Sequence, residues 1–269
     1  MKVGVLGCGK MCSAMVHRWL QVGLLQPTDV LAMTRTEASA ARVSRDLGVD
    51  TCQDARELLR WADVVLLGIK PQQARETLAP LRDHVDGEQL WLSVLAGVEI
   101  ATLEELTGAS VVRLMPNTPV RLGAGATGVV WGAHDDRRDA IMPLLEALGV
   151  VAELEEEQLD GFTALAGSGP AYVFYFLEAL ESAGVHVGLE QRDARSLALS
   201  VLEGAAALMG QAPRPPAALR KDVTSPGGMT QAAISSLQRA RWAEALAPAL
   251  AAAVHRGREL ANSATEADQ

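Results

Sequence analysis

The stretch Val3-Gly4-Val5-Leu6-Gly7-Cys8-Gly9-Lys10-Met11 decides the fold. Val3 to Leu6 is a short apolar run that reads as a buried strand, and Gly7 with Gly9 permits the sharp turn behind it. Beyond the turn, Met11, Met15 and Trp19 lie beside Cys12, Val16 and Leu20 in two adjacent i,i+4 rows, the apolar face of a helix. The same units recur outward from here. Val30 to Met33 is a second strand, Ala38 to Leu47 a helix closed by Gly48, and Asp54 caps a helix running through Trp61. Val64 to Ile69 is a longer apolar strand, the pattern of burial on both faces. Helix Gln72 to Leu81, strand Leu90 to Val94, helix Ile100 to Leu106 and strand Val111 to Leu114 continue the alternation. A strand near Val129 to Trp131, helix Asp136 to Leu148 and strand Val150 to Leu154 complete it. Strands separated by such helices imply parallel pairing through crossovers, which is a doubly wound α/β sheet of the Rossmann type.

Past about Glu155 no strand candidate remains. Gln158 to Ala183 and Glu190 to Met209 read as helices. A proline hinge (Pro213, Pro215, Pro216), a short helix to Val223, a glycine loop and a helical stretch from Thr230 to about Asn262 follow. The expected organisation is an α/β domain over residues 1–155 and an all-α domain over residues 156–269, with Ser263 to Gln269 frayed. Alanines crowded between Ala243 and Ala253 let helices approach closely, which suits a dimer-forming bundle or a monomeric one.

A length of 269 residues agrees with two domains. With 24 basic and 33 acidic side chains, a net charge of −9, the chain lacks the basic surface that nucleic acid requires. Its three cysteines have no C-x-x-C spacing and its five histidines are scattered, which argues against a disulfide framework and a metal site. No apolar stretch reaches the ~20 residues that span a bilayer. No signal-peptide core precedes Gly7, so a cytoplasmic protein without membrane attachment is expected.

Gly7-Cys8-Gly9 sits between strand and helix, where free backbone N–H groups and the positive end of the helix dipole suit a dinucleotide pyrophosphate. Cys12 replaces the third glycine of that fingerprint with a residue still small enough for close helix-to-strand packing. At the end of the second strand an acid would bond ribose hydroxyls; Thr34-Arg35-Thr36 instead sets a guanidinium between two hydroxyls, a grip for a 2′-phosphate that favours NADPH over NADH. The alternative is a helix cap at Thr36 beside a solvated Arg35. Gly68-Ile69-Lys70-Pro71 ends another strand at the ligand-facing edge, where Lys70 either faces the cofactor or marks a solvated strand end. Asn117, in Met115-Pro116-Asn117-Thr118-Pro119, either works near a nicotinamide or stiffens a turn. In Thr224-Ser225-Pro226-Gly227-Gly228-Met229-Thr230, two hydroxyls, two glycine N–H groups and a helix amino end form a receptor for a small carboxylate; the alternative is a plain N-cap. Gly167-Ser168-Gly169-Pro170 poses the same choice against a helix kink or start.

Together these segments resemble the pyrroline-5-carboxylate reductase family. The likeness rests on the glycine turn, Ile69-Lys70-Pro71, Ser93-Val94-Leu95-Ala96-Gly97-Val98, Met115 to Pro119, Gly167 to Tyr172 and above all Leu219 to Thr230, in the family's order over nearly the whole chain. The resemblance implies reduction of the cyclic imine 1-pyrroline-5-carboxylate to L-proline by NADPH, with NADH as second choice. It also implies a homodimer, or an assembly of dimers, holding this small imino acid at the dimer interface. By position, Leu6, Gly7, Cys8, Gly9, Lys10, Met11, Thr34, Arg35, Thr36, Gly68, Ile69, Lys70, Pro71, Ala96 and Gly97 would line the cofactor, with Asn117 near its reactive end. Thr224, Ser225, Gly227, Gly228, Met229 and Thr230 would bind the substrate, with Glu156 and Asp222 close by. An imine protonated on nitrogen already accepts hydride readily, so orientation supplies most of the acceleration and no strong acid is required. Thr230 is the expected catalytic contact; too weakly acidic for general acid work, it would orient the ring nitrogen.

The chain departs from the family at three points. An asparagine near the adenosine ribose is Ala55 here, which leaves Arg35 or Arg56 to compensate. Asp222 stands where an amide is common, and Met229 is bulkier than the usual small residue. Two alternatives stay open: a reductase of another cyclic imine, such as a six-membered imino acid, and a non-catalytic nucleotide-binding regulatory relative. A β-hydroxyacid dehydrogenase would need a lysine in its helical domain, and none lies between Lys70 and Lys221.

Overall fold

Eight strands form one sheet: β1 (Val3–Leu6), β2 (Val30–Met33), β3 (Asp50–Cys52), β4 (Val64–Leu67), β5 (Leu90–Ser93), β6 (Ser110–Pro116), β7 (Gly125–Val130) and β8 (Gly149–Glu153). Their order is β3-β2-β1-β4-β5-β6-β7-β8 in a computed structural model that describes residues 1–133, 137–211 and 214–266. The order reverses between β1 and β4, the switch point of a doubly wound sheet. Along β4, Val64 and Leu66 enter the core on one face while Val65 and Leu67 enter that on the other, the period of two that a strand imposes. Helices α1 (Lys10–Gln21), α2 (Glu37–Leu47) and α6 (Arg138–Glu146) cover the first face; α3 (Ala55–Trp61), α4 (Ala74–Leu78) and α5 (Ile100–Thr107) cover the second. Each fully buried Leu or Met in these layers contributes roughly 1.5–3 kcal/mol. Trp19 fixes α1 to α6 by donating its Nε1–H to the Leu144 carbonyl at 2.7 Å.

Two strand expectations need correction. The short edge strand β3 pairs parallel to β2, and its three residues carry no apolar run. β7 runs antiparallel to β6, whereas the other pairs are parallel. The link from Asn117 to Ala124 is a short 3₁₀ turn closed by Gly123 at φ +70°, and parallel pairing needs a crossover of a dozen residues or more.

The helical expectations also change in detail. Gln72 to Leu81 divides into α4 and flanking 3₁₀ turns. Gln158 to Ala183 is not one helix: α7 (Leu159–Phe162) leads into a π turn, Thr163–Gly167, and α8 (Gly169–His186) begins after Ser168. α9 (Gln191–Gln211), α10 (Pro216–Asp222), α11 (Met229–Arg239) and α12 (Leu246–Glu266) follow. The expected continuous stretch from Thr230 is broken after α11, where Arg241 takes a left-handed φ of 54°. α12 carries residues 263–266, expected to fray, in helix. Asp136, Pro213 and residues 267–269 lie outside the described residues. By its contacts the chain divides into a unit of residues 1–168 and 253–269 and a unit of residues 169–252, a later division than the one expected at residue 155. In the second unit, the buried apolar side chains among the described residues are Ala194 and Ala198.

Candidate active site

A cleft of about 640 Å³ opens where β1, β2 and β4 end. Leu6 to Gly9 follow β1, Thr34 and Arg35 follow β2, and Gly68 to Lys70 follow β4; all of them line it, so the fold gathers nine of the expected cofactor residues. The gathering has a steric cause. Gly7 sits at φ +94°, and a Cβ there would stand 2.7 Å from the Ile69 amide nitrogen, so the two loops touch backbone to backbone. Across the same junction, a Cβ on Gly68 would meet Cys12 Sγ at 2.1 Å. The close approach that a third glycine would give is thus achieved with the small residue on β4 and the thiol on α1.

The cleft fits a dinucleotide on three counts. Nothing lies within 4 Å of where a Gly9 side chain would project, which leaves a cradle beside the turn. No side chain caps the amino end of α1, so its first-turn N–H groups remain available for an anion. Thr34 is 5% exposed, and its Oγ1 is buried without a hydrogen-bond partner beside the cleft. Cys8 also lines the wall; burial pushes its thiol up despite the contact to Ser13 Oγ at 3.3 Å, so it is a packing group rather than a nucleophile.

Other expected cofactor residues are placed differently. Lys10 and Met11 sit in the first turn of α1, off the cleft wall. Thr36 caps α2, accepting from the Ser39 amide at 3.2 Å and donating to Ser39 Oγ at 3.0 Å, so the cap reading holds at this position. Pro71, Ala96 and Gly97 line a separate cavity of about 410 Å³ with Arg113, Met115, Thr163, Ser168 and, from α12, Ala253, Arg256 and Gly257. Asn117 serves the turn: its side chain donates to the Ala166 carbonyl at 2.9 Å and accepts from the Ala126 amide at 2.9 Å.

Glu156, expected near the substrate, is tied into the first unit. Its Oε1 accepts from Arg113 Nη1 at 2.8 Å and from the Ile100 amide at 3.0 Å, which caps α5 directly after the Ala96–Gly97 loop. Arg113 was not anticipated: nothing local marks a single arginine in an apolar strand, yet its side chain is 7% exposed. The cleft also contains Met33, Ser39, Arg42, Gln73, Glu76 and Thr77, none of them anticipated. The i,i+3 spacing of Thr36, Ser39 and Arg42 carries a signal for two of these.

In the second unit, Gly228 is the N-cap of α11 and no side chain caps the helix. The glycine amides are not free, contrary to expectation. Gly227 donates to Gln231 Oε1 at 2.5 Å and Gly228 to the Ser225 carbonyl at 3.1 Å, so the N–H groups left without a partner among the described residues are those of the first turn, Met229, Thr230 and Gln231. Thr224 is likewise committed, donating to the Arg220 carbonyl at 2.6 Å. Ser225, Met229 and Thr230 are exposed, and the Thr230 hydroxyl makes no hydrogen bond among the described residues. Arg214 Nη1 reaches Asp222 Oδ2 at 2.6 Å, and this hydrogen bond holds the carboxyl below its ordinary range. No three His, Cys, Asp or Glu side chains gather as a metal site among the described residues. No helix there is long and apolar enough to cross a membrane.

A doubly wound sheet whose switch-point cleft carries a glycine turn, joined to a helical unit, defines an NAD(P)-dependent oxidoreductase. A family model described as pyrroline-5-carboxylate reductase dimerisation matches residues 156–260, and one described as NADP oxidoreductase, coenzyme F420-dependent, matches residues 2–97. Pyrroline-5-carboxylate reductase 2 of Bacillus subtilis is 36% identical over 250 residues, 91% of this chain and 90% of its own. The Arabidopsis thaliana pyrroline-5-carboxylate reductase is 33% identical over 97% of this chain and 96% of its own. The solved structure of a pyrroline-5-carboxylate reductase from Coxiella burnetii matches with a TM-score of 0.89 at 33% identity, covering 96% of this chain and 98% of that one. Plasmodium falciparum pyrroline carboxylate reductase, solved with NADP bound, matches with a TM-score of 0.86 at 25% identity, covering 97% and 98%. The chain belongs to the pyrroline-5-carboxylate reductase family.

Proposed function

We infer that this chain reduces 1-pyrroline-5-carboxylate to L-proline with NAD(P)H, the last step of proline formation. The observation that carries the reading is a family likeness over nearly the full length in a chain that keeps both an open glycine-turn cleft and an uncapped α11 with a free Thr230 hydroxyl. NADPH, which the residues of the glycine-turn cleft would hold, would supply the hydride that reduces the imine carbon. The chain's residues do the rest by holding and orienting. The first-turn amides of α1 and the space beside Gly9 would receive the pyrophosphate, and Arg35 would meet the 2′-phosphate. At α11, the Met229 and Thr230 amides hold the substrate carboxylate, while the Thr230 hydroxyl hydrogen-bonds the ring nitrogen and fixes the face presented to the hydride. The ion pair to Arg214 moderates the charge of Asp222, so that departure does not by itself exclude an anionic substrate.

In this reading the first unit holds the cofactor, and the second holds the substrate and pairs two copies of the chain. α8 has no buried residue, and Phe174, Tyr175, Val201 and Leu208 are exposed at 62%, 75%, 63% and 63%, an apolar surface that a second copy would cover. The three cysteines are buried free thiols, in keeping with a reducing cytoplasm. The test is loss of NADPH absorbance with pyrroline-5-carboxylate and with its six-membered analogue. Preferential turnover of the five-membered ring supports the reading. Preference for the larger ring transfers the chain to another imine, and turnover of neither makes it a non-catalytic relative.

A further inference from the structure

With Thr36 committed to capping α2, the hydroxyl–guanidinium–hydroxyl grip expected after β2 lacks one arm. Arg35 is itself drawn toward Gln73, donating from Nη2 to its Oε1 at 2.8 Å. A second guanidinium stands in the same cleft. Arg42 on α2 lines the wall beside Ser39, is exposed, and makes no ion pair or hydrogen bond among the described residues. Ser39 and Arg42 are three residues apart and so share one face of the helix. The charge of Arg42 also reaches the glycine turn, where it opposes the upward shift of the Cys8 thiol. Thr34 adds its buried, unpartnered hydroxyl to the same wall. Glu76, which also lines the cleft, brings a negative charge that one arginine alone offsets poorly against an incoming dianion.

The geometry points to Arg42 as a specificity-determining residue. With Arg35 it forms a pair of guanidinium groups that takes the 2′-phosphate of NADPH, filling the place the sequence pattern assigns to Thr36. The assignment rests on the reading that this cleft holds the dinucleotide.

The test is calorimetric titration of the full chain with adenosine 2′,5′-bisphosphate and with AMP, which differ in the 2′-phosphate. Arg42→Ala and Arg42→Lys are compared with Arg45→Ala, a residue of the same helix that pairs with Asp46 and lies off the cleft wall. Losing a charge-assisted contact should weaken the bisphosphate about tenfold in Arg42→Ala while AMP stays within about twofold. Arg42→Lys should fall between, because an ammonium keeps the charge but not the fork. Arg45→Ala should bind as wild type does. Equal weakening of both ligands, no weakening, or an equal effect from Arg45→Ala overturns the assignment while leaving the cleft as a nucleotide site. Wild-type protein that binds neither ligand overturns the cleft reading and this inference together.

Discussion

Gly68→Ala probes the contact that brings α1 against β4 and so shapes the cleft. The new Cβ would lie 2.1 Å from Cys12 Sγ and 2.9 Å from the Gly7 carbonyl oxygen. Unstrained heavy-atom contacts lie nearer ~3.5–4 Å, so either the thiol or the helix must shift. Overpacking of this kind costs roughly 1–3 kcal/mol, and the second, backbone obstacle puts Gly68→Ala at about 2–3 kcal/mol. For a chain of this size that lowers Tm by roughly 4–12 °C. Cys12→Ala removes the sulfur and leaves Cys12 Cβ 3.6 Å from the new methyl, an ordinary contact, although the Gly7 carbonyl still crowds it. Alone, Cys12→Ala should cost about 1 kcal/mol through the small void it leaves. The double variant should therefore be more stable than the summed losses by about 1–2 kcal/mol. Urea melts at one fixed protein concentration measure this, since any association between copies adds to apparent stability. Strictly additive losses, or a Gly68→Ala protein as stable as wild type, would refute the packing assigned to this junction.

Thr230→Ala removes an exposed hydroxyl without a partner among the described residues, so the melting temperature should hold while kcat falls roughly ten- to a hundredfold; wild-type turnover would show the nitrogen contact to be elsewhere. Glu156→Ala leaves Arg113 and the amino end of α5 without their shared acceptor. A fully buried pair would cost about 3–5 kcal/mol to break, and at 30% exposure of Glu156 the expected loss is nearer about 2 kcal/mol, with substrate KM little changed. A large KM effect with unchanged stability would return Glu156 to the substrate. Burial, with Glu57 and Asp54 adding repulsion, pushes the Cys52 thiol from 9.0 up to about 11. A thiol harder to ionise in the folded state than in the unfolded one stabilises the fold below pH about 9, and that contribution is lost as pH rises to about 11. Cys52→Ala should flatten the fall in stability across this window, and pH–stability curves parallel to wild type would count against it.

The sheet was largely legible because buried parallel strands and two-faced helices leave strong periodic signals, as Val64 to Leu67 and Met11 to Trp19 do. β3 left none: three residues, one of them buried, at the margin of the sheet. The reversal of β7 was hidden because direction depends on the reach of the preceding link rather than on the strand's own composition. At the site, the backbone framework of Leu6 to Gly9 and Gly68 to Lys70 could be read from glycine positions, whereas the state of individual polar atoms could not. Whether Thr36 faces a ligand or the Ser39 amide, whether Gly227 is open or met by the Gln231 side chain, and whether Asn117 serves a ring or a turn depend on partner groups three, four and forty-nine residues away. Only the nearest of these partners leaves a pattern in the sequence.

The wall that Ala253, Arg256 and Gly257 give to the cavity beside Ala96 and Gly97 is drawn from far downstream, with Arg258 reaching back to Asp160 across 98 positions. During translation, all eight strands leave the ribosome well before this wall exists. A nascent chain can thus complete its sheet while the cavity still lacks one side, and the chamber closes only once the whole intervening helical unit has been synthesised. Ribosome-stalled intermediates of this protein would carry the architecture of the first unit without its finished interior.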